Sequence, residues 1–295
     1  MRLGLVTPIV TRHPANDAPW TEAAGPAELT AIARAADRLG FHHLTCSEHV
    51  AIPTSVAPVR GARYYDPLAT FGFLAAQTAR IRFVTHVLVL GYHHPLEIAK
   101  RYGTLDRLCG GRLVLGVGVG TLAEEFGLLG ARFEGRGPIY EDALRALRAS
   151  FGRSEPVYAG THHRFEGMIV DPCGVQTDVP IWLGGRTARS LRRALVFGDG
   201  WTPFGLGIDE LEALVQRARA WREWRDRDRP FELVLPIDRQ LDVIDAAERA
   251  DFIELARRHR ALGATILNVR VRHRSLAHYL EQLECLAIDV VPALG

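Results

Sequence analysis

Residues 180–201 read P-I-W-L-G-G-R-T-A-R-S-L-R-R-A-L-V-F-G-D-G-W, and they contain a strand, a glycine turn, a helix and a second strand. Residues 181–183 form a short apolar run typical of a buried strand. Gly184 and Gly185 allow a tight turn with positive φ, and Thr187 is a suitable cap for the helix that follows. The stretch therefore predicts one β-α-β unit of a parallel sheet.

The same turn is a candidate anion site. Free backbone N–H groups, the positive end of the helix dipole and the Arg186 side chain would meet beside Gly184 and Gly185. A phosphate group matches that combination of donors. The alternative is an ordinary Gly-Gly turn next to a surface arginine, and the motif alone leaves both interpretations open.

Strand-like and helix-like segments alternate along the whole chain, eight times over. The strands are expected at residues 2–10, 41–46, 81–90, 113–119, 181–183, 200–203, 231–237 and 265–269. Such alternation predicts a parallel (β/α)8 TIM barrel, which binds its ligands at the carboxyl ends of the strands. A doubly wound sheet is the alternative. We expect residues 1–295 to form a single domain with an insertion at roughly 121–179, where short β pieces are expected at 157–158 and 164–165.

The composition limits the class of protein. The 295 residues are 47% hydrophobic with a net charge of +2, which supports a large core and argues against nucleic acid or a membrane as the main partner. The four cysteines are far apart and no group of metal-ligand residues has a recognisable spacing, so neither disulfides nor a metal site is expected. With no targeting segment in view, we expect a cytoplasmic protein acting on a small molecule.

The glycine-rich stretch R-L-V-L-G-V-G-V-G at residues 112–120 suggests a dinucleotide site. Thr121 stands where the third glycine of that fingerprint would be, and the stretch belongs to the fourth strand rather than the first. We therefore expect another use for these glycines, namely clearing one face of a barrel strand so that a flat ring can lie against the backbone.

Ser47-Glu48-His49 directly follows the second strand, at the end of the barrel where catalytic groups are placed. An imidazole there can exchange a proton near neutral pH, so His49 is the candidate acid or base, although an ordinary loop histidine is the alternative. After the fourth strand, Glu124 reads as the start of a helix, while a role for Glu125 stays open. The pairs at residues 42–43 and 93–94 are interpreted as structural or solvated histidines.

Taken together, these segments resemble the bacterial luciferase-like flavin and deazaflavin oxidoreductases, and most of all the branch that uses coenzyme F420. The resemblance extends over most of the chain. Its motifs are Ser47-Glu48-His49, T-H-V-L-V-L at residues 85–90, His94-Pro95 with Ala99-Lys100, Leu105-Asp106 with Gly110-Gly111-Arg112, the glycines at 116–120, Glu124-Glu125-Phe126, and residues 180–201.

The resemblance implies a cofactor ring across the barrel mouth, a histidine matching His49 beside the reactive ring, and the cofactor phosphate at Gly184, Gly185, Arg186 and Thr187. It also implies a non-prolyl cis peptide between His86 and Val87 that supports the ring from behind. Further cofactor contacts are implied at Glu48, Val119 and Gly120. Two positions depart from the family pattern: His86 stands where a small residue is common, and Thr121 stands where some relatives carry a catalytic glutamate.

The function implied by this resemblance is hydride transfer between coenzyme F420 and a small organic substrate. The charged tail of F420 would need positive potential beyond the phosphate, for which Arg186 and Arg189, with Arg60 and Arg63, are candidates. Two alternatives stay open: an FMN-dependent monooxygenase of the same fold, and a non-catalytic flavin-binding barrel. The substrate pocket would be formed by the loops at residues 11–25 and 51–65 and by the insertion. A homodimer is expected.

Overall fold

The computed structural model describes residues 1–14, 18–237 and 239–295, and its centre is a closed barrel of parallel strands. The strands are β1 (Arg2–Leu5), β2 (His43–Cys46), β3 (Arg82–Thr85), β4 (Leu113–Gly118), β5 (Ile181–Gly184), β6 (Gly200–Thr202), β7 (Glu232–Pro236) and β8 (Ile266–Val269). Each strand pairs in parallel with the next, and β8 pairs with β1 to close the ring. The predicted TIM barrel is therefore confirmed, and the doubly wound alternative is wrong.

Helices connect the strands and cover the outside of the barrel. They are α1 (Pro26–Leu39), α2 (Pro67–Ala75), α3 (Pro95–Leu108), α4 (Arg136–Ser150), α5 (Ala188–Phe197), α6 (Ile208–Arg219), α7 (Ala246–Leu262) and α8 (Leu276–Cys285). Short helical segments lie at Pro19–Glu22, Ala57–Arg60, Leu90–Tyr92, Ala123–Leu128, Arg222–Arg225, Leu286–Val290 and Val291–Ala293. In α1, proline occupies the first turn, and Gly40 ends the helix in the left-handed conformation with φ 80°.

Two segments differ from the sequence-based bounds. The strand expected at residues 81–90 is divided, because a cis peptide joins His86 to Val87 between β3 and the short strand Leu88–Val89, which pairs with β4. The predicted cis bond is thus confirmed. The apolar residues at 211, 214, 215, 218 and 221 have helical spacing and predict one helix, but α6 ends at Arg219, and Trp221 is the N-cap of the next short helix.

The segment between β4 and β5 contains α4 and an antiparallel hairpin formed by Tyr158–Ala159 and Arg164–Phe165. Asp142 of α4 holds this hairpin, since its carboxylate accepts hydrogen bonds from the Tyr158 hydroxyl and from the backbone N–H groups of residues 161–163. Although burial opposes ionisation, these donors and the His163 side chain, whose Nδ1 lies 2.9 Å from Asp142 Oδ2, lower the pKa of Asp142 to about 2. The short β pieces expected in the insertion are therefore present.

The glycines of β4 do not leave an open face for a ring, so that expectation is wrong. A Cβ on Gly116 would lie 1.8 Å from the backbone oxygen of Thr85, and one on Gly118 would lie 2.6 Å from a methyl group of Val87. A Cβ on Gly184, at the end of β5, would lie 2.8 Å from the other methyl group of Val87. The space is used for close strand approach and for the Val87 side chain, which packs against β4 and β5.

Among the described residues, no helix is both long enough and apolar enough to cross a membrane.

Candidate active site

His49 lies at the barrel mouth in the loop after β2, and its partner is Glu125 from the short helix after β4. The distance from His49 Nδ1 to Glu125 Oε2 is 2.8 Å. The Glu125 side chain is completely buried, and that of His49 is 18% exposed. Barrel closure brings these two loops together, although the residues are 76 positions apart in the chain.

Glu125 is held as a carboxylate by several donors. The Tyr92 hydroxyl donates to Oε2 at 2.8 Å, and the backbone N–H of Val50 donates to Oε1 at 2.5 Å. Burial alone would raise the pKa of Glu125, but the hydrogen bonds from His49, Tyr92 and Val50 outweigh it and lower the pKa. Because an ionised carboxylate only accepts hydrogen bonds, His49 Nδ1 must carry a proton.

The other ring nitrogen of His49, Nε2, has no hydrogen-bond partner in the part of the chain that the structure describes. The Tyr64 ring packs edge-on against the imidazole, with 4.5 Å between ring centroids, and fixes its plane. An oriented imidazole with Nδ1 bound to a carboxylate and Nε2 free is the arrangement that general acid or base chemistry requires.

Glu48, the residue before His49, is buried and has structural partners. Its Oε2 accepts the backbone N–H of Val89 at 2.7 Å, and its Oε1 lies 2.7 Å from His93 Nε2. Burial of His93 works against protonation, yet the Glu48 carboxylate raises the pKa of the imidazole overall. Glu48 therefore joins the loop after β2 to the loop before α3, and both of its oxygens are already engaged.

His86 and Val87 follow β3 at the barrel mouth. The Nε2 atom of His86 is 3.0 Å from the Thr202 hydroxyl, which comes from β6 on the other side of the barrel. Val87 is half-buried between Gly118 and Gly184. The Ser47 hydroxyl donates to the His86 carbonyl at 2.8 Å, which ties this bulge to the loop of His49.

Val119 and Gly120 continue the chain past β4. Val119 is half-buried and packs against the core. Gly120 has φ 77°, and a Cβ there would lie 2.5 Å from the Phe126 ring. Its carbonyl accepts a hydrogen bond from Arg136 at 3.1 Å. Both residues therefore belong to the segment that connects β4 to the short helix containing Glu125.

The glycine turn after β5 has the predicted form. Gly185 has φ 127°, and Thr187 caps α5 through a bond from the Ser190 N–H to the Thr187 hydroxyl oxygen at 3.2 Å. The N–H groups of Ala188 and Arg189 have no acceptor among the described residues. Arg186 is exposed and makes no ion pair within the described chain.

The other two arginines considered for the cofactor tail are engaged elsewhere. Arg63 donates to the carbonyls of Thr21 and Glu22 at 2.8 and 3.0 Å. Arg60 donates to the Thr121 hydroxyl at 3.2 Å, on the side of the mouth where His49 lies. Part of the first predicted pocket loop, residues 15–17, lies outside the described residues.

Sequence reasoning left Glu125 open and did not identify Tyr64 or Tyr92. The one signal in the sequence for Glu125 was its position shortly after a barrel strand, at the end where catalytic groups are placed. Nothing in the local sequence marks the two tyrosines, because their role depends on which loops meet at the mouth.

Comparison with known proteins identifies relatives of this chain and solved structures with a similar fold. An uncharacterized Mycobacterium tuberculosis protein is 30% identical over 227 residues, which are 70% of this chain and 76% of that protein. The structure of an F420-dependent secondary alcohol dehydrogenase, with an F420-acetone adduct, superposes with a TM-score of 0.76 at 13% identity and covers 100% of this chain and 99% of that one.

The oxygenating constituent of 3,6-diketocamphane monooxygenase from Pseudomonas putida, in complex with FMN, superposes with a TM-score of 0.72 at 17% identity and covers 99% of this chain and 98% of that one. Of these two proteins with a similar fold, one therefore uses F420 and the other binds FMN. The family model for luciferase-like monooxygenases matches residues 1–282, and so this chain belongs to the luciferase-like monooxygenase family.

Proposed function

We propose that this protein is an oxidoreductase that transfers a hydride between coenzyme F420 and a small organic substrate. The observation that carries the proposal is His49 at the mouth, with Nδ1 bound to the Glu125 carboxylate and Nε2 free of any described partner. A hydride acceptor or donor such as a carbonyl or an alcohol must also gain or lose a proton. His49 Nε2 is the group that would supply or remove it.

The glycine turn supports a phosphate-bearing cofactor. Its unengaged donors are the N–H groups of Ala188 and Arg189, and the exposed Arg186 guanidinium stands beside them. The Thr187 oxygen accepts the Ser190 N–H but leaves its own O–H proton available. These donors suit a phosphate, and the positive charges of Arg186 and Arg189 extend the site toward an anionic tail.

When bound, the deazaflavin would supply hydride transfer, and the protein's residues would orient and enclose it. Val87, fixed between Gly118 and Gly184, would support the ring from below. Glu48 would support the site indirectly and would not contact the cofactor, since its oxygens are bound to the Val89 N–H and to His93. The Glu125 carboxylate would keep the Nδ1 proton on His49 while Nε2 exchanges its proton with the substrate.

The cofactor preference is tested by fluorescence titration of the purified protein with F420 and with FMN. We expect F420 to bind more tightly than FMN. Arg186→Ala should weaken F420 binding by about 1.5 to 3 kcal/mol, the range for a hydrogen bond to a charged group.

Arg153→Ala is the matched control, because Arg153 is also exposed and lies far from the glycine turn. It follows α4, whose Arg148 donates to the Val179 carbonyl ahead of β5, at the end of the barrel opposite to the mouth. The control should leave F420 affinity unchanged. Tight FMN binding with no F420 binding would instead support a flavin monooxygenase, a function also found in this fold. A protein that binds neither cofactor would contradict both proposals.

A further inference from the structure

A continuous series of polar side chains crosses the inside of the barrel, from the end where the strands begin to the mouth. It contains Arg2, His42, His43, Asn268, Thr202 and His86. His43, Asn268 and Thr202 are buried. Its contacts are His42 Nδ1 to His43 Nδ1 at 2.9 Å, His43 Nε2 to Asn268 Oδ1 at 2.7 Å, and Thr202 Oγ1 to His86 Nε2 at 3.0 Å. The series ends at His86, a position where the mechanism proposed above uses no side-chain proton.

The direction of donation is set at Arg2. Its guanidinium, which is paired with Glu232, can only donate, and it contacts His42 Nε2 at 3.4 Å. His42 Nε2 is therefore the acceptor nitrogen, so in the neutral ring Nδ1 carries the proton and donates it to His43 Nδ1. His43 must then carry its own proton on Nε2, where it donates to the amide oxygen of Asn268.

The opposite orientation of the Asn268 amide conflicts with Arg2. It would turn the amide NH2 toward His43 Nε2, move the His43 proton to Nδ1, and so place the His42 proton on Nε2 against an Arg2 N–H. With the amide oxygen toward His43, the Asn268 NH2 donates to the Thr202 hydroxyl at 3.4 Å. All donors then run from Arg2 toward the mouth.

At Thr202 the series passes to His86. The Thr202 hydroxyl is buried, and its described contacts are the Asn268 NH2 and His86 Nε2. Since Asn268 donates to it, His86 Nε2 is the acceptor available for its proton, and a buried O–H without an acceptor is costly. His86 is thus left with its proton on Nδ1.

The Nδ1 atom of His86 has no described hydrogen-bond partner. It is not buried either, since Trp182 Nε1 is the only buried side-chain polar atom without a partner in the described chain. We propose that His86 is a neutral hydrogen-bond donor at the barrel mouth, fixed as the Nδ1–H tautomer by this series and directed to a carbonyl-type acceptor on the bound ligand. The contact with a bound ligand rests on the proposed function, whereas the tautomer does not.

The surroundings of His86 support a neutral ring. Burial, followed by the charge of Arg270, lowers the pKa of His86 to about 4. At neutral pH the donor therefore carries no charge. A neutral donor suits an uncharged carbonyl oxygen, whereas a phosphate or carboxylate would be better served by a cation.

The tautomer is tested without cofactor by ¹⁵N NMR of the histidine side chains, which distinguishes Nδ1–H, Nε2–H and doubly protonated rings. The His86 signal is identified by its loss in His86→Gln. We expect Nδ1–H in the wild-type protein at pH 7.5. Thr202→Val, which keeps the shape but removes the hydroxyl, should populate the Nε2–H form, while Thr202→Ser should retain the wild-type spectrum. An Nε2–H or charged ring in the wild type, or no change in Thr202→Val, would overturn the assignment.

The ligand contact is tested by adding saturating F420 or FMN, whichever binds in the titration. The Nδ1 resonance of His86 should move on binding, and His86→Gln and Thr202→Val should bind the cofactor about 2- to 10-fold more weakly, the effect of one neutral hydrogen bond. An unchanged resonance with bound cofactor would refute the contact. If neither cofactor binds, the contact fails together with the proposed function, while the tautomer is still decided by the spectrum without cofactor.

Discussion

At the mouth, one buried carboxylate determines which nitrogen of His49 is available. Glu125 accepts hydrogen bonds from His49 Nδ1 and from the Tyr92 hydroxyl at the same oxygen, both at 2.8 Å. Burial of Tyr92, followed by the hydrogen bond and the charge of Glu125, raises the pKa of the Tyr92 hydroxyl. Tyr92 therefore remains a donor, and His49 Nε2 is the atom at which a proton can be gained or lost.

Removing that imidazole should affect turnover far more than cofactor binding. We expect His49→Ala to lower kcat by about 10²-fold or more, the usual range for a general acid or base, with nearly unchanged F420 affinity. Added imidazole should restore part of the activity by occupying the vacated space. The measurement is F420 absorbance with a substrate that the wild-type protein converts. Full activity in the variant would make His49 an ordinary loop residue.

Glu125→Gln tests the positioning role of the carboxylate. The amide keeps the shape but removes the charge, so we expect kcat to fall by roughly 10-fold or more while KM changes little. Glu124→Gln is the matched control, since it makes the same chemical change at the exposed neighbour. A fall of equal size in both variants would show that the effect is one of general charge and not of contact with His49.

At the scale of the elements, the Val87 side chain, which follows β3, packs against glycines of β4 and β5. A Cβ at Gly118 would meet Val87 at 2.6 Å. We expect Gly118→Ala to lower the free energy of unfolding by about 1 to 3 kcal/mol, as overpacking does. In a Val87→Ala background the same change should have a smaller effect, with a coupling free energy of about 0.5 kcal/mol or more.

Urea unfolding of the four proteins in this cycle gives the coupling directly. Gly72→Ala is the control, because Gly72 lies in α2 with no atom within 4 Å of its added Cβ. Alanine there should be neutral or stabilising by up to about 1 kcal/mol, since it favours the helix. Strict additivity of Gly118→Ala and Val87→Ala would contradict the proposed contact.

For the whole molecule, the histidines inside the barrel make stability depend on pH. Burial, followed by the charges of Arg2 and Arg82, lowers the pKa of His42 to about 4, and burial lowers the pKa of His43 well below its usual value. His86 is also near 4. These rings stay neutral in the folded protein, while in the unfolded chain they bind protons below about pH 6.5.

Stability should therefore fall as the pH decreases from about 6.5 toward 4. At pH 5 the expected loss is about 2 kcal/mol for each histidine with a pKa near 4, with a further loss from His43. His93, whose pKa is raised, contributes its full stabilisation below about pH 6.5 and loses it as the pH rises through the folded pKa, so it offsets part of the loss between pH 7.5 and pH 5. Urea denaturation at pH 7.5 and pH 5 measures the change, and equal or greater stability at pH 5 would contradict it.

Much of the fold was predictable because periodicity and turn chemistry are local. The bounds of α1 and the start of α2 at Pro67 follow from prolines, glycines and apolar spacing. Thr187 was recognisable as a cap from its position after Gly185, and its side chain caps α5. The strand expected at residues 2–10 was too long, since β1 ends at Leu5 and residues 11–12 instead pair with residues 63–64 over the mouth.

The sequence by itself determined the order of strands and helices, the glycine turn after β5 and the location of His49 after β2. Tertiary structure alone decided that Glu125 meets His49, that Val87 fills the space of Gly118 and Gly184, and that His86 reaches Thr202. The reason is geometric. Alternation of elements follows from neighbouring residues, whereas these contacts join positions 31 to 116 apart in the chain that meet only when the barrel closes.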